Sequence, residues 1–236
     1  MNSKLGAIKV IAQTSKVHTG TVICLHGSGD TGSGFKDWIK TLLTKDMSFP
    51  QLKVLIPTAP IRPYTPLGGQ RSHVWFDRLQ ISPDVPEDLT TIDSMAQELS
   101  VLVNKEVEQG IPLNRIIVGG FSMGGAMAMH LAYRSLPQLC GVFALSSFLN
   151  HNSSVYEALQ TKTTQEIPPL LMCHGDQDGL VSDEWGSQTA NILRKLGVDV
   201  QFHIIKDAEH ELTKRELLQL MDWINEKLPP LSELST

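Results

Sequence analysis

Short runs rich in Val, Ile and Leu alternate along this chain with longer stretches in which apolar residues return every third or fourth position. The short runs fall at residues 7–12, 21–25, 53–56, 115–119, 141–145, 170–173 and 200–205 and read as strands. Their near-continuous hydrophobicity points to strands covered on both faces, hence to a mainly parallel sheet between helices. The clearest helix runs over 86–109, where Leu89, Ile92, Met95, Leu99, Leu102 and Val107 share one face. Pro86, Glu87 and Asp88 suit its start and Gly110 its end. Further helices are expected at 35–43, 123–134, 184–196 and 214–228. The pattern is that of an α/β fold, a central sheet flanked by helices, with no internal repeat and no low-complexity linker.

Composition narrows the class. A chain of 236 residues with 41% hydrophobic and 19% charged positions is ordinary for a globular protein and long enough to bury well over half of its unfolded surface. One domain spanning 1–236 is expected, because α/β folds of this length form around a single sheet. The net charge of −5 includes no run of Lys and Arg, which argues against nucleic acid and against a polybasic membrane anchor. Cys24, Cys140 and Cys173 stand singly in or beside apolar runs and read as reduced, buried small hydrophobes. The amino-terminal residues contain no apolar stretch fit for a signal peptide, residue 2 is Asn2 where myristoylation needs glycine, and the carboxyl-terminal end offers no cysteine for prenylation. A cytosolic protein without stable membrane insertion is expected; oligomeric state is not indicated.

The most informative segment is an apolar strand that runs through Gly120-Phe-Ser122-Met-Gly124 directly into a helical stretch. A G-x-S-x-G motif in that strand–turn–helix context is a nucleophile elbow, which holds a serine exposed on a strained turn above a sheet. A serine hydroxyl needs a base to take its proton. In the chain order expected of such an elbow, an acid and then a histidine follow the serine. His174-Gly-Asp176-Gln-Asp178-Gly-Leu180 follows one predicted strand and offers two carboxylates, and His210 follows the next strand, just before the final helix. His18, His73, His130, His151 and His203 read as satisfied side chains, and His26 and His174 as braces of His-Gly turns.

Acyl transfer also needs backbone N–H groups aimed at the developing oxyanion. Met123, following the nucleophile at a helix start, supplies one. The loop His26-Gly-Ser28-Gly-Asp30 lies where lipases and esterases carry their His-Gly loop, and Ser28 is assigned the second donor.

A rival reading begins in the same loop, because Gly27-Ser-Gly29-Asp-Thr-Gly32 spells the G-x-G-x-x-G of dinucleotide-binding folds. That fingerprint also needs an acid for the ribose at the end of the next strand. The next strand ends Ile56-Pro-Thr-Ala-Pro60, with no acid. No histidine pair has the spacing of zinc ligands, so a zinc hydrolase and a bound metal are not expected.

As a set, Leu25-His-Gly-Ser-Gly-Asp-Thr-Gly32, Pro57-Thr-Ala-Pro60, Trp75-Phe-Asp77, Gly119-Gly-Phe-Ser-Met-Gly-Gly125, Cys173-His-Gly-Asp-Gln-Asp178 and His210 resemble the acyl-protein thioesterase and lysophospholipase family, most closely its lysophospholipase-like branch. The resemblance covers nearly the whole chain. It implies a single-domain α/β-hydrolase that acts, without a cofactor, on thioesters of acylated cysteine or on oxygen esters such as lysophospholipids. It supports Ser122 as nucleophile and His210 as base, and chooses Asp178 over Asp176 as the orienting acid. The better-known thioesterases carry leucine at the place of Ser28 and glutamine at that of Met123, which leaves backbone donors intact but bears on acyl-chain choice. By analogy Leu67, Trp75 and Leu180 wall the acyl site, although Trp75 and Phe76 read equally as core. No inserted cap fits between the elements, so a shallow cleft is expected, with short acyl chains favoured. The alternatives are a carboxylesterase for small soluble esters, which shares every catalytic residue, and a noncatalytic binding protein on the same scaffold.

Overall fold

The computed structural model describes residues 5–161 and 167–231. The readings made at the two extreme ends, residues 1–4 and 232–236, lie outside the described residues. In chain order the elements are β1 (Ile8–Ile11), β2 (Gly20–Leu25), α1 (Gly32–Leu43), β3 (Leu52–Pro57), β4 (Ile61–Tyr64), β5 (Gln70–His73), α2 (Leu89–Glu108), β6 (Ile116–Phe121), α3 (Met123–His130), β7 (Gly141–Leu145), α4 (Ser154–Gln160), β8 (Leu170–Gly175), α5 (Asp183–Lys195), β9 (Val200–Ile205) and α6 (Lys214–Lys227). This is the α/β-hydrolase fold: a seven-stranded sheet in the order β1-β3-β2-β6-β7-β8-β9, with β1 antiparallel to β3 and every other pairing parallel.

Alternation along each strand divides the core into two layers. Ile23, Leu25, Val118, Val142, Ala144, Leu170 and Met172 face one side, where α2, α3 and α5 contribute Met95, Leu99, Met127 and Leu193. Val22, Cys24, Ile117, Phe143, Leu145, Leu171 and Cys173 face the other, against Phe35 and Ile39 of α1 and Leu217, Leu220 and Trp223 of α6. Burial on both faces is why these strands carry almost no polar positions.

All seven predicted strands are present, with ends shifted by a residue or two. Helix α2 begins at Leu89 rather than at 86, because the Asp88 carboxylate accepts the Thr91 N–H at 3.2 Å and caps it. Helix α1 begins earlier than expected, at Gly32, behind a Thr31 cap. The helix expected at 123–134 is α-helical to His130 and then widens into a π turn over Leu131–Ser135. Neither α4, a helix of 7 residues, nor the β4–β5 hairpin was expected; the strands IRPY and QRSH are short, mostly polar, bury only Tyr64 fully and are interrupted by Pro63.

Candidate active site

Helices enter and strands leave so that the carboxyl ends of β2, β6, β8 and β9 lie along one edge of the sheet, where β2 is flanked by β3 on one side and β6 on the other. Such a switch point is where open α/β sheets bind ligands. Ser122 follows β6 directly. From Ile116 to Tyr133 every residue is buried except Ser122. Its backbone stands at φ 53°, ψ −120°, a region that costs a non-glycine residue energy, and its N–H is held by the Leu145 carbonyl at 2.8 Å. The flanking glycines are required by close approach: a Cβ on Gly120 would lie 2.3 Å from the Leu25 oxygen, and one on Gly124 2.2 Å from the same atom. Strand β2 and the start of α3 therefore meet backbone to backbone beneath the serine.

His210 Nε2 lies 3.0 Å from the Ser122 hydroxyl, and His210 Nδ1 lies 2.7 Å from Asp178 Oδ2. The imidazole also packs on the Phe121 ring at 4.8 Å between centroids. Asp178 follows β8, its side chain inaccessible. Burial pushes its carboxyl pKa up, but hydrogen bonds from His174, the Val181 N–H and His210 outweigh burial and bring it down to about 2. Its Oδ1 accepts the N–H groups of Leu180 at 3.0 Å and Val181 at 2.8 Å, so Oδ2 is left for the histidine. Asp176 is directed elsewhere: its Oδ1 accepts the Asp207 N–H at 2.8 Å and ties together the loops that follow β8 and β9. That brace spans 31 positions of the chain.

Met123 is the first residue of α3, so its N–H belongs to the unpaired donors of a helix start. The Gly27–Ser28 turn lies alongside; a Cβ on Gly27 would be 3.6 Å from the Ser122 Cβ. Gly29 donates its N–H to His73 at 2.9 Å and Asp30 to Gly27 at 3.3 Å, while the Ser28 N–H has no acceptor among the described residues. His26 is wholly buried and acts as a brace: Nε2 accepts the Ala59 N–H at 3.0 Å, so Nδ1 carries the proton toward the Gly27 oxygen at 2.7 Å. Burial lowers its pKa and keeps it neutral. His174 braces likewise, with Nε2 2.8 Å from the Val181 oxygen.

Trp75 needs correction as a pocket residue. It is fully buried, and its indole N–H donates to the His26 carbonyl at 2.7 Å, so it supports the His26–Asp30 loop from behind. Asp77 of the same motif holds the turn after β4 through the Thr65 N–H at 2.8 Å and the Thr65 hydroxyl at 2.6 Å. Leu67, in that turn, and Leu180, beside Asp178, are each 51% exposed. The glycines of the G-x-G-x-x-G string serve packing: the Gly32 N–H donates to Thr58 Oγ1 at 3.0 Å, where a dinucleotide site would present its acid.

Other expectations for single residues also changed. His130 is not a lone histidine; it is buried 3.2 Å from Glu87 Oε1, off the line of a well-formed hydrogen bond. Glu87 Oε2 accepts the Ser154 N–H and hydroxyl. Burial raises the Glu87 pKa, yet the adjacent His130 imidazole together with Ser153 and Ser154 brings it down to about 2. Cys140 is half-buried rather than buried, with Sγ 3.3 Å from the Lys227 oxygen. No helix among the described residues is long and apolar enough to cross a membrane.

The chain matches the family of phospholipases and carboxylesterases over residues 6–228. It is 51% identical over 220 residues to lysophospholipase-like protein 1 of Mus musculus, an alignment covering 93% of this chain and 91% of that one. It is 31% identical to acyl-protein thioesterase 1 of Neurospora crassa over 92% of this chain and 91% of that protein. Among solved structures, acyl-protein thioesterase 2 of Zea mays superposes with a TM-score of 0.77 at 27% identity, over 94% of this chain and 99% of that one.

Proposed function

The chain belongs to the phospholipase/carboxylesterase family and is a serine hydrolase; on that premise we propose that it cleaves acyl thioesters and esters of short chain length, with Ser122 as nucleophile, His210 as general base and Asp178 as the orienting acid. The observation that carries this reading is the unbroken series Ser122 Oγ, His210 Nε2, His210 Nδ1, Asp178 Oδ2, with links of 3.0 Å and 2.7 Å.

In the first step His210 Nε2 takes the hydroxyl proton as Ser122 Oγ attacks the acyl carbonyl. The N–H groups of Met123 and Ser28 receive the oxyanion, and the start of α3 favours the negative charge. The imidazolium then protonates the departing thiolate or alkoxide, leaving an acyl-serine. Water attacks that ester with His210 as base, and collapse returns the proton to Ser122 and releases the acid. Asp178 stays ionised throughout; with its pKa at about 2 it remains an anion beside the imidazolium and fixes the tautomer in which Nε2 faces the serine.

The substrates are acylated proteins or small acyl esters, and the protein acts in the cytosol as one domain without a cofactor. Leu67 and Leu180 are the apolar residues available to flank the acyl chain, and both are half-exposed, which suits a shallow cleft. A carboxylesterase acting on small soluble esters would use the same machinery. A fluorophosphonate probe tests the assignment: one adduct on Ser122 in the unaltered protein and none in Ser122→Ala is expected. Full labelling of the variant would place the reactive nucleophile elsewhere, and no labelling of the unaltered protein would leave a noncatalytic scaffold as the reading.

A further inference from the structure

Arg78 follows the Trp75-Phe-Asp77 motif and has no place in the chemistry above. Its guanidinium carbon lies 4.9 Å from the centre of the Phe76 ring and 5.4 Å from that of Phe148. Its Nε is buried without a hydrogen-bond partner among the described residues. The neighbouring acids have other contacts: Asp77 accepts from Thr65 and from the Arg78 backbone N–H, and Glu87 accepts from Ser154 through Oε2, while its Oε1 lies 3.2 Å from His130. Burial lowers the pKa of Arg78, and Tyr64, Asp77 and Glu87 pull it back up, so the group remains cationic. A half-buried guanidinium whose Nε is shut off from water without a bonded anion is costly, and two aromatic faces offset only part of that cost.

Its surroundings lie beside the reacting serine on two sides. Phe148 belongs to the segment leaving β7, three residues after Leu145, whose carbonyl holds the Ser122 N–H. On the other side the buried Tyr64 is electrostatically coupled both to Arg78 and to Ser28, the residue assigned to the oxyanion loop. A planar guanidinium presents paired donors that match two oxygens of one anionic group. We propose that Arg78 is a specificity-determining residue that binds an anionic oxygen group, a carboxylate or a phosphate, carried by the acyl ester or thioester that Ser122 attacks. The inference rests on the proposed hydrolase function. It deepens the short-chain reading, because a cation that engages the bound ester disfavours a long apolar tail and favours a short group ending in charge.

Three thioesters test this: the butanoyl thioester of N-acetylcysteamine, which is neutral; the glutaryl thioester of the same thiol, with a carboxylate on the acyl end; and the butanoyl thioester of 3-mercaptopropionate, with a carboxylate on the leaving group. In the unaltered enzyme at low salt, one of the charged substrates is expected to exceed the neutral one in kcat/KM by about tenfold or more. The advantage should shrink with added salt, vanish in Arg78→Met and survive in part in Arg78→Lys, which keeps the charge but not the fork. Which charged substrate gains tells whether the anion sits on the acyl or the leaving-group side, and either supports the proposal. No advantage for either in the unaltered enzyme overturns it even if Arg78→Met does not fold, and so does an advantage that persists in folded Arg78→Met. Turnover of the neutral thioester that disappears in Ser122→Ala upholds the hydrolase reading independently, so failure at Arg78 and failure at Ser122 are told apart.

Discussion

His210 Nε2 and the Ser122 hydroxyl stand 3.0 Å apart, although 88 positions separate them in the chain. The contact forms because both residues sit in loops at the same edge of the sheet, one after β6 and one after β9, with Asp178 between them after β8. If it is catalytic, Ser122→Ala should lower thioester turnover by roughly 10⁶, to what the oxyanion donors and binding alone provide. Steady-state kinetics with enzyme titrated by active-site probe measures this. A loss of only a few-fold would place the nucleophile elsewhere.

The two carboxylates after β8 should separate by substitution. Asp178→Asn removes the acceptor that fixes the His210 tautomer and should cost on the order of 10⁴ in kcat with little change in KM. Asp176→Asn keeps an oxygen for the Asp207 N–H and should leave kcat within several-fold, with a modest drop in Tm. Reversal of that order in paired kinetic and thermal measurements would exchange their roles.

Acyl-chain preference should respond to Ser28. Its polar side chain, within reach of the Tyr64 hydroxyl, occupies a place where leucine would offer apolar surface. Each methylene buried in an apolar channel contributes about 0.8 kcal/mol, so a long-chain enzyme shows kcat/KM rising steadily with length. We expect no such rise from acetyl to palmitoyl thioesters measured below their micelle concentrations, and a shift toward longer chains in Ser28→Leu. A steady climb in the unaltered enzyme refutes the short-chain reading, while an unchanged profile in Ser28→Leu moves the determinant to the loop at Leu67.

Stability should depend on pH in opposite senses for two sets of acids. Glu216, buried at the start of α6, is pushed by desolvation from 4.5 up to about 8, with the Thr213 N–H opposing and Glu211 adding. The folded protein holds that proton through a window in which the unfolded chain has lost it. Stability therefore falls as pH rises from about 4.5 to about 8, by up to about 1.4 kcal/mol per pH unit from this group. Glu216→Gln, which can still close the box with Thr213, should flatten that decline and raise Tm above neutral pH. Asp178 and Glu87, both held at about 2, act the other way: their contribution is present above their ordinary values and is lost as pH falls toward 2. Chemical denaturation across pH 2–9 reads both limbs, and an identical profile for Glu216→Gln would contradict the buried-acid account.

Much of this molecule was legible from its residues because the signals are local. Strands buried on both faces carry almost no polar positions, so the central strands of the main sheet announced themselves, and the half-exposed edge strands β1 and β9 still keep short Val and Ile runs. An elbow that brings the backbone of β2 against that of α3 must be glycine at 120 and 124, so Ser122 was marked by its neighbours. The order of Asp178 and His210 along the chain followed from the strands that precede them, with family resemblance needed to set Asp178 above Asp176.

What the tertiary structure alone decided depends on pairings between distant segments. The β4–β5 hairpin has no hydrophobic rhythm, because its strands are largely outside the core, with Tyr64 alone fully buried, and pair with each other. Trp75 looks the same in sequence whether it faces a substrate or a core; only the bond from its indole N–H to His26 shows that it supports the loop. Glu87 and His130 read as a helix-start acid and an isolated histidine until α2, α3 and α4 pack and close water out around them. Nothing in the sequence singles out Arg78, and it is the stacking of Phe76 and Phe148 around its guanidinium, one near in sequence and one far, that leaves its Nε buried and unbonded. Burial creates these relationships, and burial is a property of the assembled layers, not of any one segment.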